Sequence, residues 1–123
     1  MECKIDKHEK YAVYTVQEEK LNSLISPELK SEFLFANNNG IKNIVLDLSS
    51  TLYCDSSGLS AILVGNRLCK SSQGTFVITG VRESVEKLIK ISQLDQVLNI
   101  TPSIEEAVEF LFMEEIEREL KNE

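Results

Sequence analysis

From Asn43 onward the chain alternates two kinds of segment, and this alternation restricts the fold more than any other feature. The stretch Asn43–Leu48 contains Ile44-Val45-Leu46-Asp47-Leu48, a short aliphatic and β-branched run that reads as a strand. A helical pattern from Ser57 to about Ser72 follows, then a Gln73-Gly74 turn and the strand Thr75–Thr79. A helix at Glu83–Ser92 and a short strand at Val97–Ile100 continue the series. Strands separated by helices pair through crossovers, so this half of the chain predicts an α/β fold with a partly parallel sheet.

The flanking segments complete that reading. Glu2–Asp6 and Tyr11–Gln17 form a hairpin within residues 1–18, joined through Lys7-His8-Glu9-Lys10. Pro27 suits the first position of a helix capped by Ser26, and Asn37-Asn38-Asn39-Gly40 ends it. Thr101-Pro102-Ser103 opens an acidic terminal helix over 103–121, with Ser103 and Glu106 at capping-box spacing. The expectation is a mixed sheet of about four to five strands with about four helices, in one domain over residues 1–123. A chain of this length buries roughly two-thirds of its unfolded surface around one core.

Charge and composition exclude several function classes. The net charge is −7, and eight glutamates from Glu105 onward, against Arg118 and Lys121, account for −6 of it. No basic patch stands ready to neutralise phosphates, so direct nucleic-acid binding is not expected, and the acidic end reads as a solvated helix face, with a dedicated site for a basic partner as the alternative. No apolar run approaches the ~20 residues of a membrane span, and the first residues lack a signal peptide's apolar region. The expected location is cytoplasmic. Cys3, Cys54 and Cys69 are odd in number and fit a reducing compartment, and Cys54 reads as a small, partly buried residue, with a redox switch beside the signature as the alternative. The one histidine, His8, lies far from any serine able to act as nucleophile, and neither a G-x-S-x-G elbow nor a phosphate-binding loop occurs. No enzyme activity, metal site or cofactor is expected.

The richest stretch is Tyr53-Cys54-Asp55-Ser56-Ser57-Gly58-Leu59, where a strand region turns into the helix carrying Leu59, Ile62 and Leu63. Asp55, Ser56 or Ser57 supplies its N-cap. A side-chain oxygen there accepts from the unpaired first-turn N–H groups, and the helix dipole favours added negative charge. A cap needs one such residue, whereas this junction has three and a glycine.

Residues Asn43 to about Ser103 resemble a STAS domain, the family of the bacterial anti-sigma factor antagonists. The resemblance rests on strand Asn43–Leu48, on Asp55-Ser56-Ser57-Gly58-Leu59, and on Gly74-Thr75-Phe76-Val77-Ile78-Thr79-Gly80. It implies that Ser56 accepts phosphate from a partner kinase while Asp55, Ser57 and Gly58 shape the loop around it. Asn22 stands where family members commonly carry an aspartate, and its neutral amide supplies no charge. The implied partners are a serine-kinase anti-sigma factor, bound when Ser56 is unmodified and released on its phosphorylation, and a PP2C-type phosphatase. An interface packed around Gly58 would then meet a bulky dianion. The alternative is a non-phosphorylated accessory subunit of a bacterial ABC-type lipid transporter.

Two helices show apolar residues on more than one face. Beyond the signature, Ser60, Val64 and Leu68 offer a candidate partner surface, or are covered by the terminal helix. On the terminal helix, Ile104, Ala107, Val108 and Leu111 make one stripe, and Phe112, Met113, Ile116 and Leu120 drift to another. That second stripe either binds a partner helix, pairs with a second copy to form a dimer, or bends around the domain edge.

Overall fold

The computed structural model describes residues 1–122. Strands β1 (Cys3–Lys7), β2 (Ala12–Val16), β4 (Ile44–Asp47), β6 (Phe76–Thr79) and β7 (Asn99–Thr101) form one sheet in the order β1-β2-β4-β6-β7. β1 runs antiparallel to β2, as its hairpin requires, and every other neighbour pair is parallel. Helices α1 (Ser26–Asn38), α2 (Ser56–Ser71) and α3 (Glu83–Ile91) make the parallel crossovers, and α4 (Ile104–Lys121) follows the last strand. The mixed sheet and four helices match the expected architecture.

The chain moves across the sheet in one direction, from β2 to β4 to β6 to β7. Right-handed crossovers that all step the same way place their helices on the same face. α1, α2 and α3 accordingly share one face with Ala12, Tyr14, Val16, Ile44, Leu46, Phe76 and Ile78 of the sheet. The Tyr14, Phe33 and Phe76 rings meet at its centre, with centroids 5.6 Å apart for each contacting pair. The alternate residues Val13, Val45 and Val77 point to the opposite face, where α4 alone supplies Ala107 and Leu111. Burying one such side chain contributes roughly 1.5–3 kcal/mol, so the three-helix side carries most of the stabilisation.

Several element ends differ from their sequence reading. Ser26 lies inside α1 rather than capping it, and its hydroxyl donates 2.7 Å to the Asn22 carbonyl. The segment read as strand Val97–Ile100 follows a single 3-10 turn at Leu94–Gln96, and the strand itself is Asn99–Thr101. Ser103 caps α4 as expected, accepting from Glu106 N–H at 3.2 Å.

The two stripes of α4 differ most at their centres, while Ile104 of the first and Phe112 of the second are both 38% exposed. Ala107 and Leu111 are fully buried, while Met113, Ile116 and Leu120 are 61%, 54% and 63% exposed. The C-terminal half is held to the sheet through polar groups instead. Arg118 donates to Thr75 Oγ1 at 3.1 Å, Thr75 Oγ1 donates to Glu114, and Glu115 accepts from Asn43 Nδ2 and Arg118.

Candidate functional site

The stretch after β4 returns along the outside of the sheet before α2 begins. It is pinned there by a two-stranded parallel ladder that periodicity did not reveal, in which β3 (Lys20–Leu21) pairs with β5 (Tyr53–Cys54). Leu52 and Tyr53 N–H donate to the Glu19 carbonyl at 2.8 and 2.9 Å, Asp55 N–H donates to the Leu21 carbonyl, and the Thr51 hydroxyl donates to Glu18. Residues Glu18 to Leu21 therefore form a rail against which the signature is laid. The site sits past the carboxyl end of β4, where parallel α/β sheets commonly place their functional loops.

Asp55 is the N-cap of α2. Its backbone is extended, and its Oδ1 accepts from Gly58 N–H at 3.0 Å and from the Ser57 hydroxyl at 2.6 Å. Those two donors, the Ser57 hydroxyl first, hold its carboxyl below the usual carboxylate range. Ser57 is occupied by this bond and lies 3.5 Å from Ser26 Oγ, which ties α2 to the start of α1. Ser56 takes the first helical position, is exposed, and its hydroxyl makes no hydrogen bond among the described residues. Of three cap candidates, the structure selects Asp55 for the cap and leaves Ser56 facing water.

Gly58 has a different place from the one an interface centre would need. It is buried, and a Cβ there would run into the Leu21 carbonyl oxygen and stand 2.8 Å from Cys54 Sγ. The glycine lets the rail close on the helix, so it shapes the loop from beneath and offers no surface. Cys54 is half-buried against it, and burial pushes its thiol up to about 12. It stays a protonated, weakly reactive packing residue at neutral pH.

Asn22 lies in the β3–α1 loop, half-buried, and serves that loop's own geometry. Its Oδ1 accepts from Leu24 N–H at 3.0 Å, and its carbonyl accepts from Ser26 N–H at 2.8 Å and from the Ser26 hydroxyl. Ser60, Val64 and Leu68 continue along α2 and are all half-buried. None lies under α4, which covers the other face, and Leu68 packs against the main core. His8 sits in the β1–β2 turn, stacked on Tyr11 at 4.5 Å, beyond the amino ends of the parallel strands and thus at the far end from Ser56. No group of three or more metal-ligating side chains gathers among the described residues.

Three exposed apolar residues beside the signature escaped the sequence reading. Leu24 is 80% exposed, Tyr53 62% and Leu52 37%. Tyr53 precedes the signature by two positions, and Leu24 follows the rail that pairs with it. Leu52 and Tyr53 share a shallow cleft with Arg82, Glu83 and Ser84 at the start of α3. The Leu52-Tyr53 pair, large and apolar just before a polar junction, was the available signal.

Comparison with known proteins identifies the family and the fold. A candidate anti-sigma factor antagonist of Thermotoga maritima is 35% identical over 78 residues, which cover 63% of this chain and 66% of that protein, just under two thirds. The crystal structure of a candidate anti-sigma factor antagonist from the same organism superposes with a TM-score of 0.79 at 26% identity, covering 89% of this chain and 93% of that one. The Bacillus cell fate determinant SpoIIAA in its phosphorylated form shares the fold, with a TM-score of 0.69 at 16% identity over 88% of this chain and 97% of that one. No helix among the described residues is long and apolar enough to cross a membrane. The STAS domain model matches residues 2–107, and the chain belongs to the STAS domain family.

Proposed function

We propose that this chain is an anti-sigma factor antagonist whose partner is a serine-kinase anti-sigma factor, and that phosphate on Ser56 ends the complex. The observation that carries the reading is the Ser56 hydroxyl, exposed and unengaged at the first turn of α2 while its neighbours Asp55 and Ser57 are committed to the cap. In the transfer, Ser56 Oγ takes the phosphoryl group of the kinase's nucleotide and gives up its proton. Hydrolysis by a PP2C-type phosphatase returns the hydroxyl and inorganic phosphate.

The same addition has opposite effects in the free domain and in the complex. A phosphate brings about −1.5 to −2 charge. In the free domain it stays in water, and the positive end of α2 offsets its repulsion by Asp55. Exposed Leu52 and Tyr53, just before the signature, and Leu24, just after the rail paired with it, give a partner apolar ground, and an interface closing over Ser56 strips water from the phosphate. Ser60 and Val64 extend the surface along α2, while Asp55, Ser57, Gly58 and Asn22 fix the loop's shape. Affinity purification from the native cell with mass spectrometry tests the proposal. A co-purifying kinase and a phosphopeptide carrying Ser56 support it; co-purification of a transporter's ATPase and permease with Ser56 unmodified contradicts it.

A further inference from the structure

We infer that the outward face of α4 is a second docking surface, and that its occupant is a basic amphipathic helix of another protein. The one-directional strand order leaves α4 alone on its face of the sheet. Met113, Ile116 and Leu120 fall within one side of the helix and are 54–63% exposed, with Phe112 38% exposed at the edge where it meets Tyr11. Inside a helix these spacings make one continuous stripe.

The stripe does not look outward for want of an anchor. The inward positions Glu114, Glu115 and Arg118 bind Thr75 and Asn43 at the amino ends of the interior strands β6 and β4, which fixes the rotation of the helix. Turning the apolar stripe inward would break that network.

Charge selects the occupant. Glu117 and Glu119 flank the stripe, and Glu105 and Glu109 continue the outward face toward the start of the helix; all four are exposed. The cations of the segment are Arg118, committed inward, and Lys121 at the end. A second copy would bring glutamates against glutamates, whereas lysines or arginines beside an apolar stripe meet them with opposite charge. Helix-in-groove recognition has this composition. The family match ends at residue 107, so the stripe belongs to a part of the chain beyond it. The surface lies on the opposite side of the sheet from α2, so a partner held there stays bound whatever the state of Ser56.

The test is display selection against the full chain, using 18-residue amphipathic helical peptides with a fixed leucine stripe and flanking positions randomised among Lys, Glu and Ser. Counter-selection uses the double variant Ile116→Ser, Leu120→Ser, and circular dichroism verifies that it is folded. Enrichment of Lys at the flanks, at least tenfold weaker binding of enriched peptides to the double variant, and weakening with added salt support the inference. Enrichment of Glu or no charge bias, or equal binding to both proteins, overturns it. So does a wild-type dimer in sedimentation that the double variant abolishes.

Discussion

Replacing Gly58 with alanine sets two effects of known sign against each other. Helix propensity alone favours alanine by about 1 kcal/mol in a helix interior. Against this, the new Cβ would collide with the Leu21 carbonyl oxygen and lie 2.8 Å from Cys54 Sγ and 2.9 Å from Leu21 Cγ. The first obstacle is backbone and cannot rotate away. Relief requires β3 to move off β5, which stretches the Asp55 N–H bond to Leu21, already 3.2 Å long. Overpacking of this kind costs about 1–3 kcal/mol, and a weakened hydrogen bond adds about 0.5–1.5 kcal/mol. The balance is a net loss of about 2 kcal/mol, or a melting temperature lower by roughly 6–10 °C for a chain of this size. Urea denaturation of both proteins, with the slope compared, measures it. A stabilised Gly58→Ala protein would refute the reasoning, since propensity would then prevail and the rail would not rest on this residue.

Three further outcomes follow from buried or paired groups. The Thr79 hydroxyl is fully buried without a partner among the described residues, so Thr79→Val should raise stability by about 1 kcal/mol and the melting temperature by about 3–5 °C; a calorimetric loss would show a bond to that oxygen. Glu115 is held below its ordinary 4.5 by Asn43, Arg118 and Lys42, so its contribution is present above that pH and lost as pH falls through the lowered value. The stability gap between wild type and Glu115→Gln should therefore be widest at neutral pH and close in acid, and a gap unchanged down to pH 3 would contradict the assignment. With its thiol near 12, Cys54 should react with iodoacetamide at neutral pH at least about a hundredfold more slowly than an exposed cysteine.

Much of the fold was legible because its signals are local. The runs at Ile44–Asp47 and Phe76–Thr79, the Asn-Gly stop after α1 and the Ser103–Glu106 cap each act within a few residues. The ladder of β3 with β5 was not, because two-residue strands carry no period and their pairing joins segments some thirty positions apart. At the site, residue types named the junction but could not assign its roles. Asp55, Ser56 and Ser57 are all competent caps, and the choice depends on how the rail orients the chain entering α2. Gly58 was legible as a residue that shapes the loop, but what it packs against was not, because that contact comes from Leu21. Ser26 was misplaced for a similar reason, its hydroxyl being drawn to Asn22 one turn earlier.

The claim that Ser56 is the switch meets its most direct test in calorimetric titration of the wild type, Ser56→Ala and Ser56→Asp proteins against the purified anti-sigma partner. Ser56 is not the cap, so Ser56→Ala should keep its stability to within about 0.5 kcal/mol and bind like the wild type. In Ser56→Asp the helix dipole contributes about 0.3–1 kcal/mol at low salt, which repulsion from Asp55 offsets, so the free domain should melt close to the wild type. Its affinity should fall at least about tenfold, equivalent to 1.4 kcal/mol, because closing the interface desolvates the carboxylate. Equal affinities for all three proteins would contradict the account and leave the transporter-subunit alternative standing.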